Sequence, residues 1–250
     1  MNSVSRFSSR VDNYAKYRPS YPPEILTPLR ANCGLTTESI IADVGSGTGL
    51  LSEVFLRNGN PVFGIEPNKS MRLRAELAFE METRFESVDG TAERTTLRSA
   101  SVDFVVAGQA FHWFDRNGAR AEFARILKPG GWVVLVWNSR RVDSTPFLRA
   151  YEKLLLHYSK DYAEVRHQNV EPDLERFFSP GTMQTANFYN VQRFDYEGLK
   201  GRLCSSSYSP DVPSPVFAPM IDELKQIFAA HNKAGLVDFE YDTKMFYGRL

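Results

Sequence analysis

The segment Ile40-Ile41-Ala42-Asp43-Val44-Gly45-Ser46-Gly47-Thr48-Gly49-Leu50-Leu51 limits the fold more than any other part of the 250-residue chain. Ile40 to Val44 is short, β-branched and almost wholly apolar, the pattern of a strand buried on both faces of a parallel sheet. Leu50, Leu51, Val54 and Phe55 then recur at three- and four-residue spacing, which predicts a helix directly after the loop, with Gly59 as its stop. Gly45, Gly47 and Gly49 therefore occupy a strand-to-helix turn. Without side chains there, a ligand can reach backbone N–H groups at the positive end of the helix.

What the loop lacks narrows the ligand. No Gly-Lys-Ser or Gly-Lys-Thr tripeptide occurs, so it is not a phosphate loop. The third glycine of a dinucleotide fingerprint would fall on Leu50, and Asp43 would set a carboxylate against an incoming pyrophosphate. Ser46 is no nucleophile elbow either, because Val44 stands where that motif needs glycine. Asp43 suits a cation. A ligand with an ammonium group, a carboxylate and a ribose, but no phosphate, would use both the acid and the helix N-terminus.

Later segments follow in a consistent order. Val62-Phe63-Gly64-Ile65-Glu66 is a second apolar strand ending in an acid, at the spacing of a ribose-binding carboxylate. Val88-Asp89-Gly90-Thr91-Ala92-Glu93 comes next. Val102 to Ala107 reads as a fourth strand and leads into Gly108-Gln109-Ala110-Phe111-His112-Trp113-Phe114-Asp115 at its carboxyl end, where open α/β sheets bind ligands. Leu127-Lys128-Pro129-Gly130-Gly131 closes a helix and turns into the strand Trp132 to Trp137. With the Asp-Val-Gly-Ser-Gly-Thr-Gly run, these segments resemble the class I methyltransferases over residues 40 to 138. The resemblance implies a Rossmann-like α/β fold: a seven-stranded, mostly parallel sheet with an antiparallel last strand and helices on both faces. It implies S-adenosyl-L-methionine as cofactor, with Asp43 toward the ammonium group, Gly45 and Gly47 in the loop, Glu66 on the ribose hydroxyls and Asp89 on the adenine amine. Pro67, Gly90, Thr91, Ala92, Gln109 and Ala110 flank these positions and belong with the cofactor on the same ground.

The two ends of the chain fall outside that frame. Phe7 to Pro22 is too aromatic for a disordered tail and too polar for a core helix. Residues 1–23 are similar to the leader of relatives of trans-aconitate methyltransferase, in which a Tyr-x-x-x-Arg-Pro-x-Tyr-Pro-like segment closes over the cofactor. Arg18 would then meet the methionine carboxylate and Tyr14 the sulfonium side; the alternative is a packing arm whose aromatics cap the sheet. Residues 24–250 form one domain, with acceptor-side helical insertions within 139–236. Phe147, Tyr151, Leu154, Leu155 and Tyr158 keep helical spacing, which predicts core packing. Met183 to Phe194 and Val237 to Arg249 read as strands, separated by helices around Tyr196 to Leu203 and Phe217 to His231. Ser205 to Pro210 either lines the acceptor pocket, Tyr208 included, or is a helix-ending turn.

Composition limits partners and location. Thirty basic and thirty acidic residues cancel, so no global field attracts nucleic acid or an anionic membrane. Arg140-Arg141 and the Arg116, Arg120, Arg125 series, interrupted by acids, read as solvated faces. No apolar run approaches the ~20 residues of a membrane span, and no signal peptide is evident. Cys33 and Cys204 suggest neither a disulfide framework nor a metal pair, and the scattered histidines give no zinc spacing. The expectation is a cytoplasmic monomer or homodimer without metal.

Two functions follow from this reading. One is methyl transfer to a small-molecule acceptor, a carboxylate by analogy with trans-aconitate methyltransferase; the other is a non-catalytic sensor that keeps the cofactor site. A proton-bearing acceptor would need a base and a carboxylate would not. His112 is the candidate catalytic residue, against a purely structural role, and Trp113 walls either acceptor or cofactor.

Overall fold

The computed structural model describes residues 16–159, 162, 171–206, 208–210 and 213–250. Tyr14, the first fifteen residues and Ser207 lie outside the described residues. A short 3-10 turn, Pro23–Ile25, leads into α1 (Leu26–Cys33), which stops at Gly34 in the left-handed region, φ 71°. Then follow β1 (Ile41–Val44), α2 (Ser52–Asn58), β2 (Val62–Ile65), α3 (Lys69–Ala78), β3 (Phe85–Val88), β4 (Val102–Gly108), α4 (Arg116–Ile126) and β5 (Leu127–Arg140). The later part adds α5 (Pro146–Tyr158), α6 (Glu171–Phe178), β6 (Met183–Phe194), α7 (Tyr196–Cys204), α8 (Phe217–His231) and β7 (Val237–Gly248).

Short polar side chains set the starts of several helices. Asn68 accepts from the Ser70 and Met71 N–H groups before α3, Asp115 from Gly118 before α4, Thr145 from Leu148 before α5, and Asp195 from Gly198 before α7.

The seven strands expected from the sequence form one sheet, in the order β3-β2-β1-β4-β5-β7-β6. The first five run parallel, and β7 is antiparallel to both β5 and β6. Alternate residues feed opposite faces. Val105, Ala107, Val133 and Leu135 pack with Phe123 of α4 and Phe177 and Phe178 of α6. Phe104, Val106, Val134 and Val136 pack with Leu29 of α1 and Phe55 of α2 on the other face. A third core joins α5, α7 and α8 to Phe239 and Tyr241 of β7 and includes the expected Phe147, Tyr151, Leu154 and Leu155.

One expectation is corrected here. Leu127 does not simply close a helix: it already pairs with Val102, and the register then shifts before Trp132 meets Phe104. α6 joins the core of the sheet, tied down by Arg120 hydrogen bonds to the Phe177 and Ser179 carbonyls. No helix among the described residues is long and apolar enough to cross a membrane.

Candidate cofactor and acceptor site

The parallel strands all deliver their carboxyl ends to one edge of the sheet, and the expected site residues sit there. Gly45 and Ser46 donate their N–H groups to the Ile65 carbonyl at 2.8 and 3.1 Å, which ties the loop to β2. Gly45 has φ 69°, and a Cβ there would lie 2.6 Å from the Ala110 Cβ, so this position requires glycine and fixes Ala110 against the loop. Gly47, φ 57°, faces open space, leaving its backbone bare to a ligand. α2 begins only at Ser52, not directly after Gly49. An intervening turn closes with the Gly49 N–H on the Ser46 carbonyl at 2.9 Å.

Acids line the strand ends. Asp43 is wholly buried; its Oδ2 accepts from the Ser52 hydroxyl at 2.6 Å, and its Oδ1 meets no donor. Burial pushes its pKa up to about 7 against the opposing Ser52 hydrogen bonds. Glu66 accepts from the Gly47 N–H at 3.0 Å and the Asn68 N–H at 2.8 Å, so it braces the loop from the end of β2. Its own pKa is raised by burial, against those two N–H groups and Arg72. Asp89, 73% exposed, takes two hydrogen bonds from Arg72 at 3.0 and 2.8 Å, and Arg72 also donates to the Glu66 carbonyl. Arg72 thereby links the ends of β2 and β3. Beyond Asp89, Gly90 is pressed against the Thr95 carbonyl, Thr91 bridges Arg94, and Ala92 is buried, while Pro67 is exposed beside Glu66. At the end of β4, Gln109 holds φ 55° and donates to the Asn138 carbonyl at 3.0 Å. A positive φ at a non-glycine residue is uncommon and marks a position held by its surroundings.

A family model described as a methyltransferase domain matches residues 42–135, from the first of these strands to the last parallel one. An uncharacterized methyltransferase of Mycobacterium tuberculosis is 31% identical over 230 residues, covering 90% of this chain and 86% of that protein. The chain belongs to the class I S-adenosylmethionine-dependent methyltransferases. An uncharacterized methyltransferase-like protein of Schizosaccharomyces pombe is likewise 31% identical over 162 residues, 63% of this chain and 60% of its own length. Among solved structures, a protein provisionally described as a type II methyltransferase from Anaeromyxobacter dehalogenans superposes with a TM-score of 0.67 at 20% identity, covering 93% of this chain and 97% of its own. At that identity the likeness speaks to the fold.

The residues of this methyltransferase fit its family's cofactor. The donorless Asp43 Oδ1 lacks the partner that a buried carboxylate needs, and the bare Gly47 leaves room for a ligand. His112 sits in the 3-10 turn Phe111–Trp113, its ring 4.8 Å from that of the half-exposed Trp113. Burial, with the Arg116 charge behind it, lowers its pKa to about 4, so the imidazole is neutral at physiological pH and a weak base.

The described end of the leader, residues 17–21, lies as a strap over the carboxyl ends of β4 and β5. The Tyr21 hydroxyl stands where a Cβ on Gly108 would be, and Asn138 and Asn190 donate to the Ser20 carbonyl at 3.2 and 2.8 Å. Gln192 reaches the Tyr17 and Arg18 carbonyls, while the Tyr17 ring packs on Gly201 of α7. Arg18 donates to the Ser205 carbonyl at 3.0 Å and neighbours Tyr208 and Tyr241. The Ser205 and Ser209 hydroxyls return to the carbonyls of Arg202 and Leu203, as a helix-ending turn does. One surface reading is overturned: the Arg140 side chain is only 9% exposed, because the strand turns it inward while its neighbour Arg141 pairs outward with Asp242. Sequence reasoning also missed Ser52, Arg72 and Asn138. Each acts through a partner 9 to 118 positions away, which no local pattern announces.

Proposed function

We propose that this methyltransferase methylates a carboxylate on a small-molecule acceptor held beneath the strap. The neutral His112 is the observation that carries this: the residue best placed to act as a base has its pKa lowered to about 4. A carboxylate has no proton to lose and needs none removed. When bound, the cofactor supplies an electrophilic methyl carbon, whose bond to sulfur breaks with its electron pair as the acceptor oxygen bonds to carbon, leaving a neutral ester and S-adenosylhomocysteine.

The chain's own residues bind and orient. Glu66 takes the two ribose hydroxyls on the lone pairs that Gly47 and Asn68 leave open. Asp43, in β1 directly before the loop, would supply the acidic side of the pocket for the ammonium group. Asp89, with Gly90, Thr91 and Ala92, borders the adenine, and Pro67, Gln109 and Ala110 flank it. Trp113 walls the site, and the strap from Tyr17 to Tyr21 excludes water, so reactants are held in line rather than activated. Its enclosure favours a small acceptor over a polymer.

The test is calorimetric titration with S-adenosylmethionine and S-adenosylhomocysteine, with NAD as control, followed by transfer of labelled methyl to a panel of organic acids. Binding of the first two alone, and a base-labile labelled ester, are expected. A labelled product stable to base would exclude the ester.

A further inference from the structure

Two guanidinium groups meet on one buried aromatic ring at the acceptor side of the site. Arg140, the last residue of β5, lies 5.9 Å from the Phe239 ring centroid, and Arg202 of α7 lies 5.3 Å from it. Arg202 is 4% exposed, and its partners are hydroxyls: Nε donates to the Tyr241 oxygen at 3.1 Å and Nη1 to Ser206 Oγ at 2.9 Å. No carboxylate pairs with Arg202 among the described residues. Burying a guanidinium without a counter-charge is strongly unfavourable, so its persistence in a fold calls for an anion.

Arg140 is half provided for. Its Nη2 donates to the Tyr162 hydroxyl at 2.6 Å and to Glu152, but Nη1 is buried with no partner. Above Arg140, 5.3 Å from its guanidinium carbon to the ring centroid, is Tyr151, which is 1% exposed and whose hydroxyl has no partner. Native interiors rarely leave donors unmade, and here two such atoms belong to stacked side chains. The field has a further signature. Burial alone would push the Tyr208 phenol up, yet Arg202, Arg18, a Ser206 hydrogen bond and Arg140 together hold it below its ordinary value. The surroundings favour a negative charge at this place.

We propose that Arg140 Nη1, the Arg202 guanidinium and the Tyr151 hydroxyl form a seat for a carboxylate of the methyl acceptor. Guanidinium groups present parallel N–H donors that match the two oxygens of a planar carboxylate. The flat flanks supplied by Phe239 and Tyr151 suit a planar group better than a tetrahedral phosphate. This assignment rests on the acceptor-side reading above and adds which residues grip the acid.

The test uses the full chain at constant ionic strength, with succinate and acetate as probes, methyl acetate as the uncharged control and inorganic phosphate as the competing anion. Each is titrated with and without S-adenosylhomocysteine, and Tyr151→Phe and Arg140→Gln are run beside the parent. Tyr151→Phe keeps the ring and removes only a hydroxyl that has no partner, so the ligand-free melting temperature should hold or rise. Succinate or acetate should raise the parent's melting temperature, both variants should bind at least about tenfold more weakly, and methyl acetate should do nothing. Equal carboxylate affinity in parent and Tyr151→Phe, no carboxylate response at all, or tighter binding of phosphate would overturn the seat. Failure of S-adenosylhomocysteine alone to bind would strike the cofactor assignment and leave the carboxylate titration to be read by itself.

Discussion

Replacing Asp43 by Asn should make the fold less sensitive to pH. Asp43 is wholly buried, with one hydrogen bond from Ser52 and a second oxygen without a donor, and burial raises its pKa from 3.8 to about 7. Because the folded value is the higher one, the folded chain keeps this proton over a range in which the unfolded chain has lost it. Stability contributed this way is full at low pH, falls as pH rises from the unfolded toward the folded pKa, and is flat above about 7. Between about pH 5 and pH 8 the loss spans roughly two units below the folded value, or about 2.7 kcal/mol at about 1.36 kcal/mol per unit. For a chain of this size that is a melting-temperature difference of roughly 5–10 °C. The Asn amide does not titrate, so any cost of seating it is the same at both pH values and drops out of the comparison. Thermal unfolding of the parent and Asp43→Asn across this range should therefore give curves that diverge toward acid, the parent gaining stability relative to the variant. Parallel curves would refute the buried, proton-holding carboxyl.

Gly45→Ala should destabilise the protein by about 2–4 kcal/mol, from the positive φ and the 2.6 Å approach to Ala110, read by chemical denaturation. Glu66→Ala should weaken S-adenosylhomocysteine binding by about 1.5–3 kcal/mol in calorimetry while Asp89→Ala, at an exposed ion pair, leaves the fold's stability within about 0.5 kcal/mol. His112→Gln should leave the shape of the pH–rate profile between about pH 5.5 and 8 unchanged, since the parent imidazole is already neutral there; loss of an inflection in that range would make His112 a base. Asn138→Ala, which removes donors to the Pro19 and Ser20 carbonyls, should speed limited proteolysis before residue 22 without lowering the global melting temperature by more than a few degrees.

Periodicity made much of this fold legible. Alternation over Met183–Phe194 and helical spacing over Phe217–His231 give those elements the bounds the structure shows. The glycine loop and Glu66 were readable because each follows an apolar strand directly, and Asp43 because it is the one acid within the strand that leads into the loop; Asp89 was readable only through the resemblance, since β3, Phe-Glu-Ser-Val, is not an apolar run. Arg140 was not. Beside Arg141 it looks like a surface pair, and only the direction of β5 at its end sends one guanidinium inward and the other to Asp242. The berth of α6 was not legible for a related reason: its apolar face shows that it packs, but the contacts of Arg120 with the Phe177 and Ser179 carbonyls decide on what. Asn138, which joins the strap to β5, is a single polar residue in an apolar run, and nothing nearby in sequence marks it as a junction.

The strand order also dictates when the enclosure can exist. β6 reaches the rest of the sheet only through β7, and β6 carries Asn190 and Gln192, which grip the strap. A ribosome that has just released residues 17–21 must therefore add roughly 200 more before their berth is built, a delay of about 10–40 s at ordinary elongation rates of about 5–20 residues per second. Through that interval the nascent chain can assemble the glycine loop and its bracing acids on the five parallel strands, but Asn190 and Gln192 cannot yet reach the strap. On that side the emerging chain stays untied until β7 has paired with β5 and brought β6 in with it.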